Sequence, residues 1–190
     1  MSESCLQLNT TSYSFNKADT MSAGNHVGIL TFANTIRREV GIKPIAQNKF
    51  DLAAVVESAR AEGGTALYDA VKKAVEMADA YPLSGDAIRG VVLLSDGIRT
   101  DGKVGLSDLI QLRTDQEQVI SQFTEGDKKG LHGSGLAFST SHPVHVFSIA
   151  YGNDADLEVL RIFSEATNST FNKATEKNIT EVLEIFSKYF

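Results

Sequence analysis

The sequence predicts an α/β fold: a doubly wound, mostly parallel sheet flanked by helices. Three observations lead there. Short apolar runs recur at 26–33 (HVGILTFA), 90–97 (GVVLLSDG) and 144–152 (VHVFSIAYG), rich in Val, Ile and Phe and bounded by turn residues. They lack polar alternation, as strands covered on both faces do. Between and after them lie segments of helical periodicity, and strands that alternate with helices build parallel sheets through crossover connections.

The elements follow in chain order. Residues 1–25 are expected to form a ragged N-terminal helix region, because SCLQLNTTSYSFNKADTM holds few strong helix formers and little periodicity. HVGILTFA is the first clear strand. IRREVGI (36–42) is expected as an edge strand, antiparallel to HVGILTF across the turn ANT. FDLAAVVESARAEGG and TALYDAVKKAVEMADAY read as helices, the second with Leu67, Ala70, Val71, Ala74, Val75 and Ala78 on one stripe. SDLIQLRTDQEQVISQF (107–123) repeats the pattern. The Gly- and Ser-rich stretch 124–142 is expected to be a mobile loop, and DLEVLRIFSEAT and NITEVLEIFSKYF close the chain as helices. A parallel sheet that opens on HVGILTF lacks a central strand ahead of it, so that strand is expected to be missing and its groove exposed.

Composition narrows the function. With 190 residues and 42% hydrophobic content, one domain over 1–190 buries a core without cross-links. A formal net charge of -6 with no basic stripe excludes a nucleic-acid surface, because phosphate binding needs clustered Lys and Arg. The single cysteine, Cys5, forms no internal disulfide and leaves the compartment open. No apolar run approaches the roughly 20 residues of a membrane span. The opening MSESCLQLNTTSYSF has neither the basic start nor the apolar stretch of a signal peptide.

The chemistry concentrates in two places. In an open α/β sheet, ligands gather beyond the carboxyl ends of the strands, and Asp96 stands at such an end, directly after VVLLS. In EGGTALYDAV (62–71), Gly63 and Gly64 allow a close approach and Thr65 stands at a helix start. A carboxylate and a hydroxyl are oxygen donors, and hard cations such as Mg²⁺ take oxygen ligands while keeping several waters. Read singly, each residue has a plainer role. Asp96 in an Asp-Gly turn satisfies turn amides, Thr65 is a simple N-cap, and Asp69 lies on a solvent-facing turn. Only the pair, in this order in an α/β chain, points to a cation.

Four blocks in order, HVGILTFA, EGGTALYDAV, VVLLSDGIRTDG and VHVFSIAYGNDADLEVLRIFSEAT, resemble successive signatures of the von Willebrand factor type A (VWA) domain, from about His26 to the C-terminus. The bacterial and archaeal branch, notably the modules beside solute-binding domains, is the more similar. The resemblance implies a Rossmann-like sheet and a metal-ion-dependent adhesion site of three loops: an Asp-x-Ser-x-Ser motif after the first strand, a Thr, and an Asp. By position the Thr falls on Thr65 and the Asp on Asp96. The implied function is a non-enzymatic module that recognises a partner's Asp or Glu through Mg²⁺, or through Mn²⁺ or Ca²⁺. An extracytoplasmic or membrane-anchored parent is implied by the solute-binding relatives.

One departure bears on this. No Asp-x-Ser-x-Ser precedes HVGILTFA. Met1 aligns with the Met that often follows the motif, so MSESCLQ is expected to begin the first helix, with the central strand and the remaining ligands upstream. In a second placement, Ser2 and Ser4 are the serine pair and the aspartate falls before Met1. Either way this chain is expected to bind metal weakly or not at all. The alternatives are a metal-independent scaffold that binds through loops 98–106 and 124–142, and a metal-assisted hydrolase built on Asp96. The hydrolase needs a base beside Asp96, and no residue is placed there by the sequence.

Other residues carry less. Of His142 and His145, one opens a strand, and their spacing is not the helical spacing of a metal pair. GLHGSG lacks a full Gly-x-Gly-x-x-Gly, and GIRTDGK has the wrong spacing for a phosphate loop. Arg99, Asp101 and Lys103 are expected to be solvated charges at the rim.

Overall fold

The computed structural model describes residues 4–7, 25–60, 63–82, 88–106 and 144–186. The elements run β1 (Ser4–Gln7), β2 (His26–Phe32), β3 (Ile36–Pro44), α1 (Ile45–Ser58), α2 (Leu67–Ala80) and β4 (Arg89–Ser95). They continue as β5 (Val144–Tyr151), α3 (Leu157–Ala166), β6 (Phe171–Ala174) and α4 (Ile179–Phe186). One six-stranded sheet results, in the order β3-β2-β1-β4-β5-β6.

Strands β4, β5 and β6 pair in parallel, and β3 runs antiparallel to β2 as an edge strand across the Ala33–Thr35 turn. β2 and β4 are each antiparallel to the strand between them, so β2, β4, β5 and β6 share one direction. This is the α/β, Rossmann-like class the sequence predicts.

The strands alternate between two covered faces, as the two-residue period requires. Leu30 and Phe32 of β2, Val91 and Leu93 of β4, and Val144 and Val146 of β5 join Leu67, Ala70, Val71 and Ala74 of α2 and Leu160 and Phe163 of α3. On the other face, Val27 and Ile29 pack on Ile45, Leu52 and Val55 of α1, while Val92, Phe147 and Ile149 pack on Val182 of α4. Burial on both sides explains why the strands read as unbroken apolar runs.

Three expectations are corrected. Residues 4–7 do not begin a helix. They form β1, with Leu6 in register with Leu30 on one side and Leu93 on the other. The position expected to be an empty groove is therefore occupied, by a short strand that runs against both neighbours. The backbone groups of β2 and β4 on this side need hydrogen-bond partners, and that demand outweighs the weak local preference of SCLQ.

The first full helix starts at Ile45 rather than Phe50 and stops at Ser58 rather than Gly64. Pro44, at φ -49° and ψ 130°, sets the turn into it, and Ala59 leaves it extended at ψ 140°. Ile45, Asn48, Leu52 and Val55 form its buried stripe, which leaves Phe50 87% exposed. Asn48 ties this helix to the sheet, donating from Nδ2 to the carbonyls of Val27 at 2.7 Å and Gly41 at 3.0 Å. β6, only four residues long, has no counterpart in the sequence reading. The expected helix 107–123 and the loop 124–142 lie outside the described residues, as does His142.

No helix among the described residues is long and apolar enough to cross a membrane.

Candidate functional site

Because β2, β4 and β5 point the same way, their C-terminal ends emerge on one edge, where open sheets of this class present their binding loops. Three connections meet there: Ala33–Thr35 after β2, Gly63–Ala66 before α2, and Asp96–Val104 after β4.

Direct hydrogen bonds join them. The Ala66 N–H donates to the Ala33 carbonyl at 2.6 Å. The Thr65 N–H donates to Thr100 Oγ1 at 2.8 Å, and the Thr65 carbonyl accepts the N–H groups of Thr100 and Asp101 at 3.1 and 3.2 Å. The Thr100 hydroxyl in turn donates a hydrogen bond to Asp101 Oδ2 at 2.8 Å, so a chain runs from backbone to hydroxyl to carboxylate. Gly64 is needed at this junction, since a Cβ there would run into the Asp101 carboxylate and the Thr100 hydroxyl.

Thr65 is buried, two residues ahead of α2, and does not cap it. The N-cap is Ala66, without a side-chain cap bond. The plain N-cap role is thereby corrected: Thr65 uses its backbone to hold the loop that follows Asp96. Asp96 is half-buried and sits one residue past β4, on the same edge. The structure thus brings the two sequence-selected loops together through Thr65, Thr100 and Asp101.

Asp69 is not on an idle turn. From the first turn of α2 its carboxylate accepts the Lys103 N–H at 2.9 Å (Oδ2) and 3.2 Å (Oδ1), and the Val104 N–H at 3.3 Å. Gly102, at φ +104°, lies against that carboxylate, and a Cβ there would collide with it.

Arg99 and Asp101 are not merely solvated charges either. The Arg99 guanidinium lies 4.9 Å from the centre of the Tyr68 ring and donates to the Gly102 carbonyl at 3.1 Å. Tyr68 in turn packs edge-on against Phe163 at 5.9 Å. Burial pushes the Tyr68 hydroxyl above its ordinary pKa. Asp156 adds to the rise, and Arg99 opposes it. Asp156 also caps α3 through the Val159 N–H at 3.1 Å, so the connection after β5 reaches the same edge. On the β2 side, Arg37 donates to Asn34 Oδ1 at 2.8 Å, beside Gly63.

His145 has a structural role, its Nδ1 donating to the Thr167 carbonyl at 2.9 Å. Among the described residues, no group of three or more His, Cys, Asp or Glu is placed to hold a metal. The Thr65 hydroxyl and the Asp96 carboxylate are hard oxygen donors of the kind Mg²⁺ accepts. Two such donors alone would leave most of an octahedral shell to be filled by other oxygens.

Asn34, Arg37, Thr100 and the anchoring role of Asp69 are not singled out by any motif in the sequence. The turn ANT, at the carboxyl end of a strand, is the one local signal that placed Asn34 on this edge. The contacts of Asp69 and Thr100 span more than thirty residues and leave no local trace.

An open α/β sheet with a stitched loop rim at its carboxyl edge defines a ligand- or partner-binding domain of the doubly wound class. The model of the von Willebrand factor type A domain matches residues 8–185, and the chain belongs to that family. Domains of the family act in general as non-enzymatic protein-interaction modules and commonly bind a metal at their adhesion site. No curated protein matches the chain.

Proposed function

We propose that this domain is a non-enzymatic interaction module that docks a protein partner on the rim formed by Ala33–Thr35, Gly63–Ala66 and Asp96–Val104. The observation that carries this is the hydrogen-bonded junction of Thr65 with Thr100 and Asp101, which fixes two donor-bearing loops against each other. A rim ordered before encounter loses little entropy on docking.

On this reading Thr65 and Asp96 contribute oxygens to a Mg²⁺, or to Mn²⁺ or Ca²⁺, and the partner contributes an Asp or Glu. The ion would supply positive charge for that carboxylate on an edge that also carries Asp69, Asp101 and Asp156. With two protein oxygens among the described residues, ion and partner bind in mutual dependence, each raising the other's affinity by the same factor.

A second reading, docking without metal, is favoured by the same protein-to-protein stitching and by Ile98, an apolar side chain 60% exposed beside Asp96. Loop 98–106 would then form the contact; the companion loop 124–142 lies outside the described residues.

Selection from a random peptide library with Mg²⁺ and with EDTA separates the two. The first reading expects peptides enriched in Asp and Glu, held only with Mg²⁺ and lost on Asp96→Ala. Retention in EDTA with loss on Ile98→Ser supports the second. Hydrolytic turnover abolished by Asp96→Asn would contradict both.

A further inference from the structure

We propose that Asp69 is a positioning residue that fixes the Asp96–Val104 loop onto α2 and so holds Asp96 on the same sheet edge as Thr65; the inference rests on the rim reading above. An acidic residue in the first turn of a helix ordinarily serves that helix's own N–H groups and dipole. Asp69 instead reaches a segment 34 residues away and accepts two consecutive backbone N–H groups, from Lys103 and Val104.

Two features make this a built contact rather than a chance one. Gly102 is held at φ +104° with its α-carbon turned to the carboxylate, a backbone geometry and a proximity that a side chain would forbid. The opposite limb of the loop is fastened separately, where Thr100 and Asp101 donate to the Thr65 carbonyl.

The loop therefore has three consecutive parts. It leaves buried β4 at Ser95, is pinned at Thr100 and Asp101 by Thr65, and is pinned again at Lys103 and Val104 by Asp69. Both pins belong to α2 or to the residues that lead into it, and Arg99, between Asp96 and the first pin, lies over Tyr68 of the same helix. Helix α2 itself is seated by Leu67, Ala70, Val71 and Ala74 in the core and cannot shift freely. Hydrogen bonds between an ionised carboxylate and backbone N–H groups are stronger than neutral ones. Removing Asp69 thus releases the downstream limb, and the tension falls on the Thr65 pin alone.

The test is residue-resolved amide exchange on the full chain as wild type, Asp69→Ala and Asp69→Asn, with Mn²⁺ affinity as a second reading. In Asp69→Ala, exchange is expected to rise roughly tenfold or more at Lys103 and Val104, and also at Thr100 and Asp101, with Val91–Leu93 unchanged. Mn²⁺ affinity is expected to fall by about the same factor. Asp69→Asn, which keeps one acceptor oxygen, is expected to lie between the two and serves if the Ala variant does not fold.

Faster exchange confined to Lys103 and Val104 overturns the proposal, since Asp69 is then only a local cap. So does a loosened loop with unchanged Mn²⁺ affinity. A wild type that binds no Mn²⁺ overturns the metal reading instead, and the exchange pattern alone then decides the role of Asp69.

Discussion

The Thr65 N–H donates to Thr100 Oγ1 at 2.8 Å, and the Thr65 carbonyl takes back the N–H groups of Thr100 and Asp101. This reciprocal pairing joins the residues that lead into α2 to the loop that leaves β4. It links two parts of the chain that the sequence singled out separately. Replacing Thr100 with Val keeps the shape and removes the acceptor, leaving a partly buried N–H without its partner. The expected loss is about 1 kcal/mol of stability, read as a lower denaturation midpoint with an unchanged slope.

Gly102 should tolerate no side chain. Gly102→Ala forces a positive φ on a residue that resists it and drives a methyl group into the Asp69 carboxylate. A destabilisation of about 1–3 kcal/mol is expected. The double variant Gly102→Ala/Asp69→Ala should recover part of it, because the collision is gone while the strain stays. A double-mutant cycle in thermal denaturation measures the recovered share.

The sheet core sets the larger scale. Leu30 and Leu93 are fully buried on the α2 face, one on each side of β1. Leu93→Ala is expected to cost about 2–5 kcal/mol, seen by chemical denaturation. It should reduce protection throughout β2, β4 and β5 rather than locally at the rim.

Tyr68 gives the alkaline limb. Its hydroxyl is held above the ordinary value of 10.0 by burial first and Asp156 second. A raised pKa in the folded state stabilises below the unfolded value and loses that contribution as pH climbs through the folded one. Wild type should therefore match Tyr68→Phe in its pH dependence below about pH 10 and lose melting temperature more steeply than it as pH rises beyond that. Parallel curves would contradict the assignment.

Much of this was legible in the chain. VGILTF, VVLL and VHVFSIA announce themselves as buried strands because both of their faces are covered, and the stripe Leu67–Ala78 announces α2 by its period. IRREVGI reads as an edge strand from its charges and the short turn ANT before it.

What was not legible depended on distant partners. SCLQ has no strong preference, and its strand state comes from the backbone groups of β2 and β4 that it satisfies. Asp69 and Thr100 look like ordinary surface residues, because nothing within a few positions of either reveals the N–H groups they serve. Thr65 and Asp96 were visible as a pair through spacing and family resemblance. The stitching that holds their loops together was not.

The central claim, that Thr65 and Asp96 form one cation-binding rim, is tested most directly by Mn²⁺ titration of the isotope-labelled domain, followed as paramagnetic broadening of backbone amides. Thr65, Asp96 and Gly97 are expected to broaden first, with the effect abolished by Asp96→Ala. Broadening centred on another part of the molecule, or unchanged by Asp96→Ala, would contradict it.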